Sequence, residues 1–305
     1  MSSLPTVAAL ALLVSGCAGT PPTPFHKRAP VLPPEARELV MVDGESGDDV
    51  SWEQLVERAR GVDVVLIGET HGHPQGLAAA AFLFDELLAD DSLHPALALE
   101  FFTRDQQLGL EDYLSKVTTE SGMVKALRLT HGNYPDGHRA MVRAARKAEA
   151  PVWAANAPRR YVSLSRKRGY PFLQELGPLQ AQQFVVPESL TEGDYRDRFE
   201  ELMTHDDEPP TPEKLTAVFR SQNLWDATMA DSVVRSVRAG GVPTVLVVGH
   251  FHVGFDGGTK QRVRDAEPER TMLTLTFLDE TSDVLRDEDK GRADVVIYAG
   301  AFPEE

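Results

Sequence analysis

The sequence has little cysteine and little positive charge. A single cysteine, Cys17, occurs in the 305 residues, so no disulfide can form within them. Lysine and arginine total 31 against 47 aspartates and glutamates, which gives a formal net charge of −16. A surface this acidic repels phosphate backbones and anionic lipid. It therefore excludes nucleic acid as a partner and electrostatic docking onto a membrane.

Three widespread catalytic or nucleotide-binding motifs are also missing. The sequence contains no phosphate-binding Gly-x-x-x-x-Gly-Lys loop, no Gly-x-Ser-x-Gly nucleophile elbow and no His-Glu-x-x-His helix. Their absence excludes P-loop nucleotide hydrolysis, serine hydrolysis of the α/β-hydrolase type and the commonest zinc proteases.

The N-terminus carries an apolar run that is too short to span a bilayer, which needs about 20 residues. This run, LPTVAALALLV at residues 4–14, is followed by Ser15-Gly16-Cys17. The arrangement indicates a signal peptide over residues 1–16. LVSGC resembles a bacterial lipobox, which implies that Cys17 is lipidated and that its thiol is not free for catalysis. By the same resemblance, Ala18 favours the outer membrane of a Gram-negative cell. A short buried helix with a chance cysteine is the alternative.

Residues 17–44 are expected to tether the folded domain to this lipid. Six prolines lie between residues 18 and 34, and such a stretch favours an extended, semi-rigid chain. The folded domain is expected to occupy residues 45–305. Ser51 is a typical N-cap for a helix that continues to Arg60.

The folded part alternates between continuous apolar runs and helical patterns. Short continuous apolar runs predict strands buried on both faces, and helices between them predict parallel pairing. The sequence therefore predicts an α/β fold, a mainly parallel central sheet flanked by helices, with a helical insertion over about 160–239. The predicted strands are Val62–Ile67, Ala96–Leu99, Pro151–Ala155 and Val242–Val248, with Met272–Leu278 and Asp294–Ala299 as two more at one edge; the predicted helices include Pro74–Leu88, Arg104–Leu114 and Gly137–Glu149.

Polar residues follow four of these strands at the point where each strand ends. The first strand runs into Gly68-Glu69-Thr70-His71, and the second into Glu100. The third runs into Asn156 and the fourth into Gly249-His250-Phe251-His252. Ligands bind outside the carboxyl ends of the strands in open α/β sheets, and glycine lets the backbone approach a ligand closely. The two Gly-x-x-His turns therefore predict a functional site at this edge.

Glu69, His71, Glu100 and His252 are candidate catalytic residues and candidate metal ligands. Two imidazoles and two carboxylates suit a divalent first-row metal ion. The same set suits a metal-free acid–base site in which carboxylates orient the histidines. The residue types leave both alternatives open.

Further polar residues are candidate ligand contacts, each with an ordinary structural alternative. Arg159 either binds a ligand or simply begins a helix. Gln222 and Asp226 share one face of a predicted helix, and that face either contacts the site or is solvated. The remaining candidates of this kind, all at or beside a strand end, are Asn156, His250 and His73.

Five segments of the chain together resemble the ChaN family of haem-binding lipoproteins, which shares a superfamily with the Tiki and TraB proteins and, more distantly, the erythromycin esterases. The resemblance covers roughly residues 45–265. It implies a haem- or iron-binding lipoprotein of the outer membrane that takes part in iron acquisition. The segments, in chain order, are IGETHGHPQG, LALEFFTRDQQLGLEDYL, VWAANAPRR, SQNLWDATMA and VLVVGHFHVGFDGG.

The resemblance also implies how haem is held. ChaN-like proteins are described as binding cofacial haems at a dimer interface through tyrosine, which allows a homodimer here. Where many relatives carry Tyr-Arg, this sequence has His138 followed by Arg139. His138 is therefore the candidate axial ligand, since imidazole ligates haem iron well, and Tyr134 is the second candidate.

The resemblance to Tiki proteins implies instead a metal-dependent hydrolase, a protease or esterase acting on a peptide or a small molecule. The two Gly-x-x-His turns would then hold the metal ion, with Glu100 as the acid and Arg104 or Arg159 as its partner. A bound metal would lower the pKa of its water toward about 7. Haem binding is the first hypothesis and hydrolysis is the second.

Overall fold

The computed structural model describes residues 24–204 and 210–303. Its strands are β1 Val40–Asp43, β2 Val64–Glu69, β3 Ala96–Thr103, β4 Val152–Asn156, β5 Thr244–Gly249, β6 Met272–Leu278 and β7 Val295–Tyr298. They form one seven-stranded sheet in the order β1-β7-β6-β2-β5-β3-β4. All neighbours pair in parallel except β1, which is antiparallel to β7. The predicted α/β class is confirmed.

Helices cover both faces of this sheet. Side chains of α1 to α5 form the large apolar core on one face, and those of α9 and α10 form a second core on the other. Strands enclosed in this way need apolar residues on both sides, which explains their continuous runs of Val, Leu and Ile. The helices are α1 Trp52–Arg60, α2 Pro74–Leu88, α3 Gln107–Leu114, α4 Glu120–Leu127, α5 Asp136–Ala148, α6 Arg159–Gln174, α7 Pro178–Ala181, α8 Asp194–Met203, α9 Pro212–Arg238 and α10 Gly258–Ala266.

Local capping explains where the first two helices begin. The Ser51 hydroxyl accepts a hydrogen bond from the backbone N–H of Gln54, and the Gln54 side chain accepts one from the Ser51 N–H. This reciprocal capping box fixes the predicted start of α1. At the start of α2, the His73 ring accepts from the Gly76 N–H, and Pro74 occupies the first turn, where its missing N–H costs nothing.

The strands that lead to the predicted site run further than expected. β2 continues through Glu69 and β5 through Gly249, and these two residues pair across the sheet. Likewise β3 reaches Thr103 and β4 reaches Asn156. Ladder hydrogen bonds use backbone groups only, so the sheet extends past the point at which the side chains become polar.

Two predictions about the sheet edge were wrong. β6 and β7 are interior strands, since β6 pairs with β2 and β7 pairs with both β6 and β1. The edge strand on this side of the sheet is β1, Val40–Asp43, which lies within the predicted tether of residues 17–44. Met41 and Val42 are buried there, so the strand is part of the domain and the tether ends before it.

The region from about residue 160 to 239 contains α6 to α9 and, among its described residues, no strand, in agreement with a helical insertion. α6 is broken at Gly169, whose φ of 77° no helix allows, just before Pro171. α9 is 27 residues long and contacts β3, β4 and β5. It therefore carries insertion residues to the carboxyl edge of the sheet.

The proposed signal peptide over residues 1–16 and the lipidation residue Cys17 lie outside the described residues. Within the described part of the chain, no helix is both long and apolar enough to cross a membrane.

Candidate functional site

The carboxyl ends of β2, β3, β4 and β5 open into one cleft of about 680 Å³. The cleft collects predicted site residues from all four strands, as expected for this edge of an open sheet. Five predicted residues line it: His71, Glu100, Asn156, Arg159 and His252. Its other lining residues are Phe101, Thr103, Asp105, Gln106, Gly132, Asn133, Ala157, Pro158, Arg160 and Trp225.

His71 is the exposed histidine of this cleft. Its side chain is 54% exposed, and its Nδ1 lies 3.1 Å from Oε1 of Glu69. A carboxylate can only accept, so Nδ1 carries the proton and Nε2 is left with its lone pair. The hydrogen bond to Glu69 raises the pKa of His71 above its usual value; burial opposes this shift, and the charge of Glu100 adds to it.

Glu69 lies behind His71 rather than in the cleft. Its side chain is only 1% exposed, and its second oxygen, Oε2, lies 3.5 Å from Nε2 of His138. Burial alone would raise the pKa of Glu69, but the two histidines outweigh it and lower the pKa below its ordinary value. Glu69 is thus a buried carboxylate that orients a cleft residue.

Gly249 lets the backbone of β5 pass directly beside His71. A Cβ at Gly249 would lie 2.9 Å from both Cε1 and Nε2 of the His71 ring, closer than van der Waals contact allows. The N–H of Gly249 donates to Oε2 of Glu100 at 2.7 Å and so fixes that carboxylate at the end of β3. Gly68 has a similar function, because a Cβ there would lie 2.9 Å from Cα of His250.

His252 is held from α9 by a fully buried carboxylate. Its Nδ1 lies 2.6 Å from Oδ1 of Asp226, and Gln222 on the next turn of α9 is 3.2 Å from the same nitrogen. Nε2 faces Oε1 of Glu100 at 3.8 Å. Burial would lower the pKa of His252, but Asp226 and Glu100 outweigh it and raise the pKa above its usual value. The face of α9 that bears Gln222 and Asp226 therefore contacts the site residue His252 and does not face solvent.

The cleft also has a cationic side at the start of α6. Arg159 and Arg160 are both exposed, and Arg160 pairs with Asp105 at 2.5 Å. Among the described residues Arg159 has no ion pair, so its guanidinium is free to meet an anionic group. Arg104 contributes nothing to this side, because it is turned toward α9, where it binds Asp231.

The expected metal centre is not supported. In residues 24–204 and 210–303 no group of three or more histidine, cysteine or acidic side chains is arranged to hold a metal ion. Glu69 is occupied by histidine contacts behind the cleft, and Glu100 accepts a backbone N–H. Both oxygens of Glu69 therefore face histidines, and one of the two oxygens of Glu100 is already paired.

Six predicted ligand contacts are not part of the cleft lining: Gln222 and Asp226 contact His252, and the other four lie elsewhere. His138 and Tyr134 are both completely buried, so neither can reach a surface ligand as predicted. His73 is also buried and caps α2, with Nε2 hydrogen-bonded to the Gly300 carbonyl. His250 is half-buried behind Gly68; burial and the nearby Arg292 lower the pKa of His250 to about 4. None of the six tyrosines is exposed.

Sequence reasoning missed the aromatic residues of the cleft. Phe101 directly follows Glu100, and Trp225 directly precedes Asp226, so both were adjacent to predicted site residues. Their ordinary interpretation as core residues hid them, because neither helix nor strand periodicity distinguishes a cleft wall from a core. The Phe101 ring packs edge-on against His71 at 5.1 Å between centroids.

Comparison with known proteins agrees with the architecture. The family model described as haem-binding uptake, Tiki superfamily, ChaN matches residues 55–263. The structure of ChaN of Campylobacter jejuni, described as showing cofacial haem binding, is 16% identical, and the match covers 85% of this chain and 96% of that one with a TM-score of 0.65. At this identity the likeness concerns the fold.

Two further solved structures are less similar. An erythromycin esterase, EreC, in its open conformation is 16% identical over 78% of this chain and 77% of its own, with a TM-score of 0.46. The type III effector HopBA1 is 16% identical over 89% of this chain and 100% of its own, also with a TM-score of 0.46. No curated protein matches the sequence. Because the family model spans most of the chain, the protein belongs to the haem-binding uptake family ChaN of the Tiki superfamily.

Proposed function

We propose that this protein is an outer-membrane lipoprotein of a Gram-negative cell that binds haem in the strand-end cleft as part of iron acquisition. Family membership supports haem as the ligand class. The proposed position of the haem site rests on His71, an exposed imidazole whose Nδ1 is hydrogen-bonded to a buried carboxylate.

The chemistry of His71 fits an axial ligand. Histidines that bind metals usually donate their other ring N–H to a carboxylate or carbonyl, which fixes the tautomer and makes the binding nitrogen more basic. Glu69 supplies that partner at 3.1 Å. Imidazole nitrogen is a common ligand of haem iron, so we give His71 the role that the family resemblance implied for His138 or Tyr134.

The remainder of the cleft fits a planar ligand with an anionic edge. Its volume of about 680 Å³ lies within the range of about 300–1,000 Å³ that is usual for cofactor pockets. Phe101 packs beside His71, and Trp225 offers further aromatic surface in the same cleft. Arg159 supplies a guanidinium group that would pair with one propionate, and Arg160, which already pairs with Asp105, lies beside it in the cleft lining. When bound, haem would supply the iron that the protein carries.

The membrane part of the proposal depends on Cys17. The net charge of −16 opposes electrostatic adsorption onto anionic lipid. A covalent lipid after Ser15-Gly16 would supply the anchor, since acyl chains bind membranes through apolar burial. Release of the protein from membranes by Cys17→Ser would support this localisation, and unchanged membrane association in that variant would reject it.

Haemin titration of the full chain, followed at the Soret band, tests the location. We expect a saturable, shifted band for the wild type and at least tenfold weaker binding for His71→Ala. His131→Ala is the matched control, because His131 is also exposed but lines a different, apolar pocket. Equal binding by the wild type and His71→Ala would reject His71 as the ligand. A band like that of haemin with an unrelated acidic protein would reject haem binding altogether.

A second function, metal-free hydrolysis of an ester or amide, is favoured by one specific arrangement. Asp226, His252 and Glu100 form a carboxylate–imidazole–carboxylate series, and the gap of 3.8 Å between His252 Nε2 and Glu100 Oε1 faces the cleft. Glu100 would take a proton from water as the water oxygen attacks the carbonyl carbon. His252, with its raised pKa, would give a proton to the leaving oxygen or nitrogen. Arg159 would stabilise the negative charge that develops.

Hydrolysis of p-nitrophenyl esters separates this function from haem binding. We expect activity that persists in EDTA and falls by at least a hundredfold in Glu100→Gln, which removes the base but keeps the shape. Activity that EDTA abolishes would contradict the metal-free mechanism. Equal rates for the wild type and Glu100→Gln would reject hydrolysis at this site.

A further inference from the structure

We propose that buried His138 is a positioning residue for His71, acting through the carboxylate of Glu69. The inference deepens and rests on the proposed function, because it gives the reason that the lone pair of His71 is on Nε2. It also assigns a role to a histidine that is completely buried and therefore cannot be a ligand itself.

A close helix contact places His138 at the end of β2. Gly137 precedes it in the first turn of α5, and a Cβ at Gly137 would lie 2.5 Å from Cβ and 2.6 Å from the carbonyl oxygen of Leu77 in α2. Only glycine permits this approach of α5 to α2. The next side chain, His138, is thereby brought against Glu69, the last residue of β2.

Glu69 is shared between two histidines on opposite oxygens. Oε1 accepts from Nδ1 of His71 at 3.1 Å, and Oε2 lies 3.5 Å from Nε2 of His138. Within the described residues, Oε2 of Glu69 and both ring nitrogens of His138 are buried without a hydrogen-bond partner, so the 3.5 Å ion-pair contact is what brings the two side chains together. A buried carboxylate needs partners on both oxygens, so His138 holds the side of Glu69 that His71 does not.

The ring of Phe101 closes this series off from the cleft. Its centroid lies 5.1 Å from the ring of His71 and 4.8 Å from that of His138. An apolar ring in contact with both imidazoles offers Glu69 no replacement donor. Loss of the imidazole at position 138 therefore removes the 3.5 Å contact of the buried Oε2 of Glu69, and the carboxylate is no longer held in its position beside His71.

The expected consequence is a change of tautomer at His71. With Glu69 in place, the proton of His71 is on Nδ1, and Nε2, beside Gly249, keeps its lone pair. Without that acceptor, the ring moves toward the Nε2–H form that free imidazole side chains favour. Nε2 then carries a proton and is no longer available as a ligand.

Matched variants at position 138 test the proposal in the full chain without haem. His138→Gln keeps an N–H donor at the reach of Nε2, whereas His138→Leu has similar volume and no donor. Nitrogen-15 NMR of the imidazole rings reports the tautomer of His71. We expect the Nδ1–H form in the wild type and in His138→Gln, and a predominantly Nε2–H form in His138→Leu. An unchanged His71 tautomer in His138→Leu would overturn the proposal.

A folding defect in His138→Leu would not prevent the test. Circular dichroism checks the fold, and His138→Met, a flexible apolar replacement, takes the place of leucine if that variant does not fold. Haemin affinity gives the second measurement: the apolar variant should bind about tenfold or more weakly, the usual cost of losing a residue that orients a metal ligand, and His138→Gln within about threefold of the wild type.

The two proposals fail in different ways. If the tautomer responds to His138→Leu but haemin does not bind the wild type, His138 positions His71 and the haem function is rejected. If haemin binds through His71 but its tautomer and affinity are the same in all variants, the haem function stands and the positioning role is rejected.

Discussion

Replacing Asp226 by asparagine should destabilise the fold by about 3 kcal/mol although the side-chain volume hardly changes. The carboxylate is completely buried and accepts three hydrogen bonds. Oδ1 accepts from His252 Nδ1 at 2.6 Å and from the Thr259 hydroxyl at 2.8 Å, and Oδ2 accepts from the Tyr195 hydroxyl at 2.8 Å. These partners come from α8, α10 and the turn after β5, so Asp226 connects α9 to three other parts of the molecule.

The expected loss of stability follows from the hydrogen bonds that asparagine cannot accept. Its amide has one oxygen instead of two, so at least one of the three buried donors loses its acceptor, at a cost of about 1–3 kcal/mol. The bond to His252 also loses its charge, and bonds to charged groups contribute about 1.5–3 kcal/mol. Losses within one network overlap rather than add. The total of about 3 kcal/mol agrees with the cost of breaking a buried ion pair.

The loss should be larger at pH 6 than at pH 9. In the wild type, burial alone would lower the pKa of His252, but Asp226 and Glu100 raise it above its ordinary value of 6.5. The charged imidazole therefore stabilises the folded state below pH 6.5, and this contribution disappears as the pH rises through the raised pKa. In the variant, burial dominates and lowers the pKa, so protonation of His252 then opposes folding.

Urea-induced unfolding of both proteins at pH 6 and pH 9 measures these differences. Asp256→Asn is the matched control, because Asp256 pairs with Arg264 at the surface at 2.7 Å; its effect should stay within about 0.5 kcal/mol. A loss below about 1 kcal/mol for Asp226→Asn, or an equal loss at both pH values, would refute the view that Asp226 and His252 form a buried charged pair.

Three further predictions concern the cleft and the sheet. Since the pKa of His250 is lowered to about 4, the free energy of unfolding should fall between pH 6.5 and pH 4, where the unfolded chain binds a proton that the folded chain does not. His250→Gln should make this fall smaller. An NMR titration in which His250 of the folded protein titrates near pH 6.5 would contradict the prediction. Gly249→Ala would place a methyl group 2.9 Å from the His71 ring and should weaken haemin binding about tenfold in a titration, whereas Gly61→Ala, which meets only ordinary contacts at 3.6 Å, should not. Leu66→Ala removes a fully buried side chain of β2 and should cost about 2–5 kcal/mol in denaturant unfolding; a cost below 1 kcal/mol would mean that β2 is not central.

Sequence periodicity predicted the sheet well because its strands are buried on both faces. A strand such as β6 must be apolar at every position, and its predicted bounds, Met272–Leu278, agree with the structure. The same reasoning missed β1, Val40–Asp43, because the apolar run at residues 39–42 has only four residues and follows a proline-rich segment, which makes it too short to distinguish from the end of a tether. Strand order was equally inaccessible, since pairing is decided by contacts between residues far apart in the chain.

The carboxyl ends of the strands were predicted to form a site, and they do form one cleft. At two strand ends a glycine stands three residues before a histidine. This pattern lies within one short segment, so His71 and His252 could be identified from the sequence. The sequence could not show that Asp226, one helix away, binds His252 at 2.6 Å. An i,i+4 pair on a helix has the same pattern whether that face contacts a site or water.

The sequence by itself determined the fold class, the edge of the sheet at which the cleft opens and the residue types gathered there, because these depend on local runs and on a general rule of open α/β sheets. Only the tertiary structure decided which histidine is exposed. His71 and His138 have equal chemistry, but the Gly137 contact with α2 buries His138 completely and leaves the side chain of His71 54% exposed. Exposure depends on how helices pack against one another, and no single segment of sequence encodes that packing.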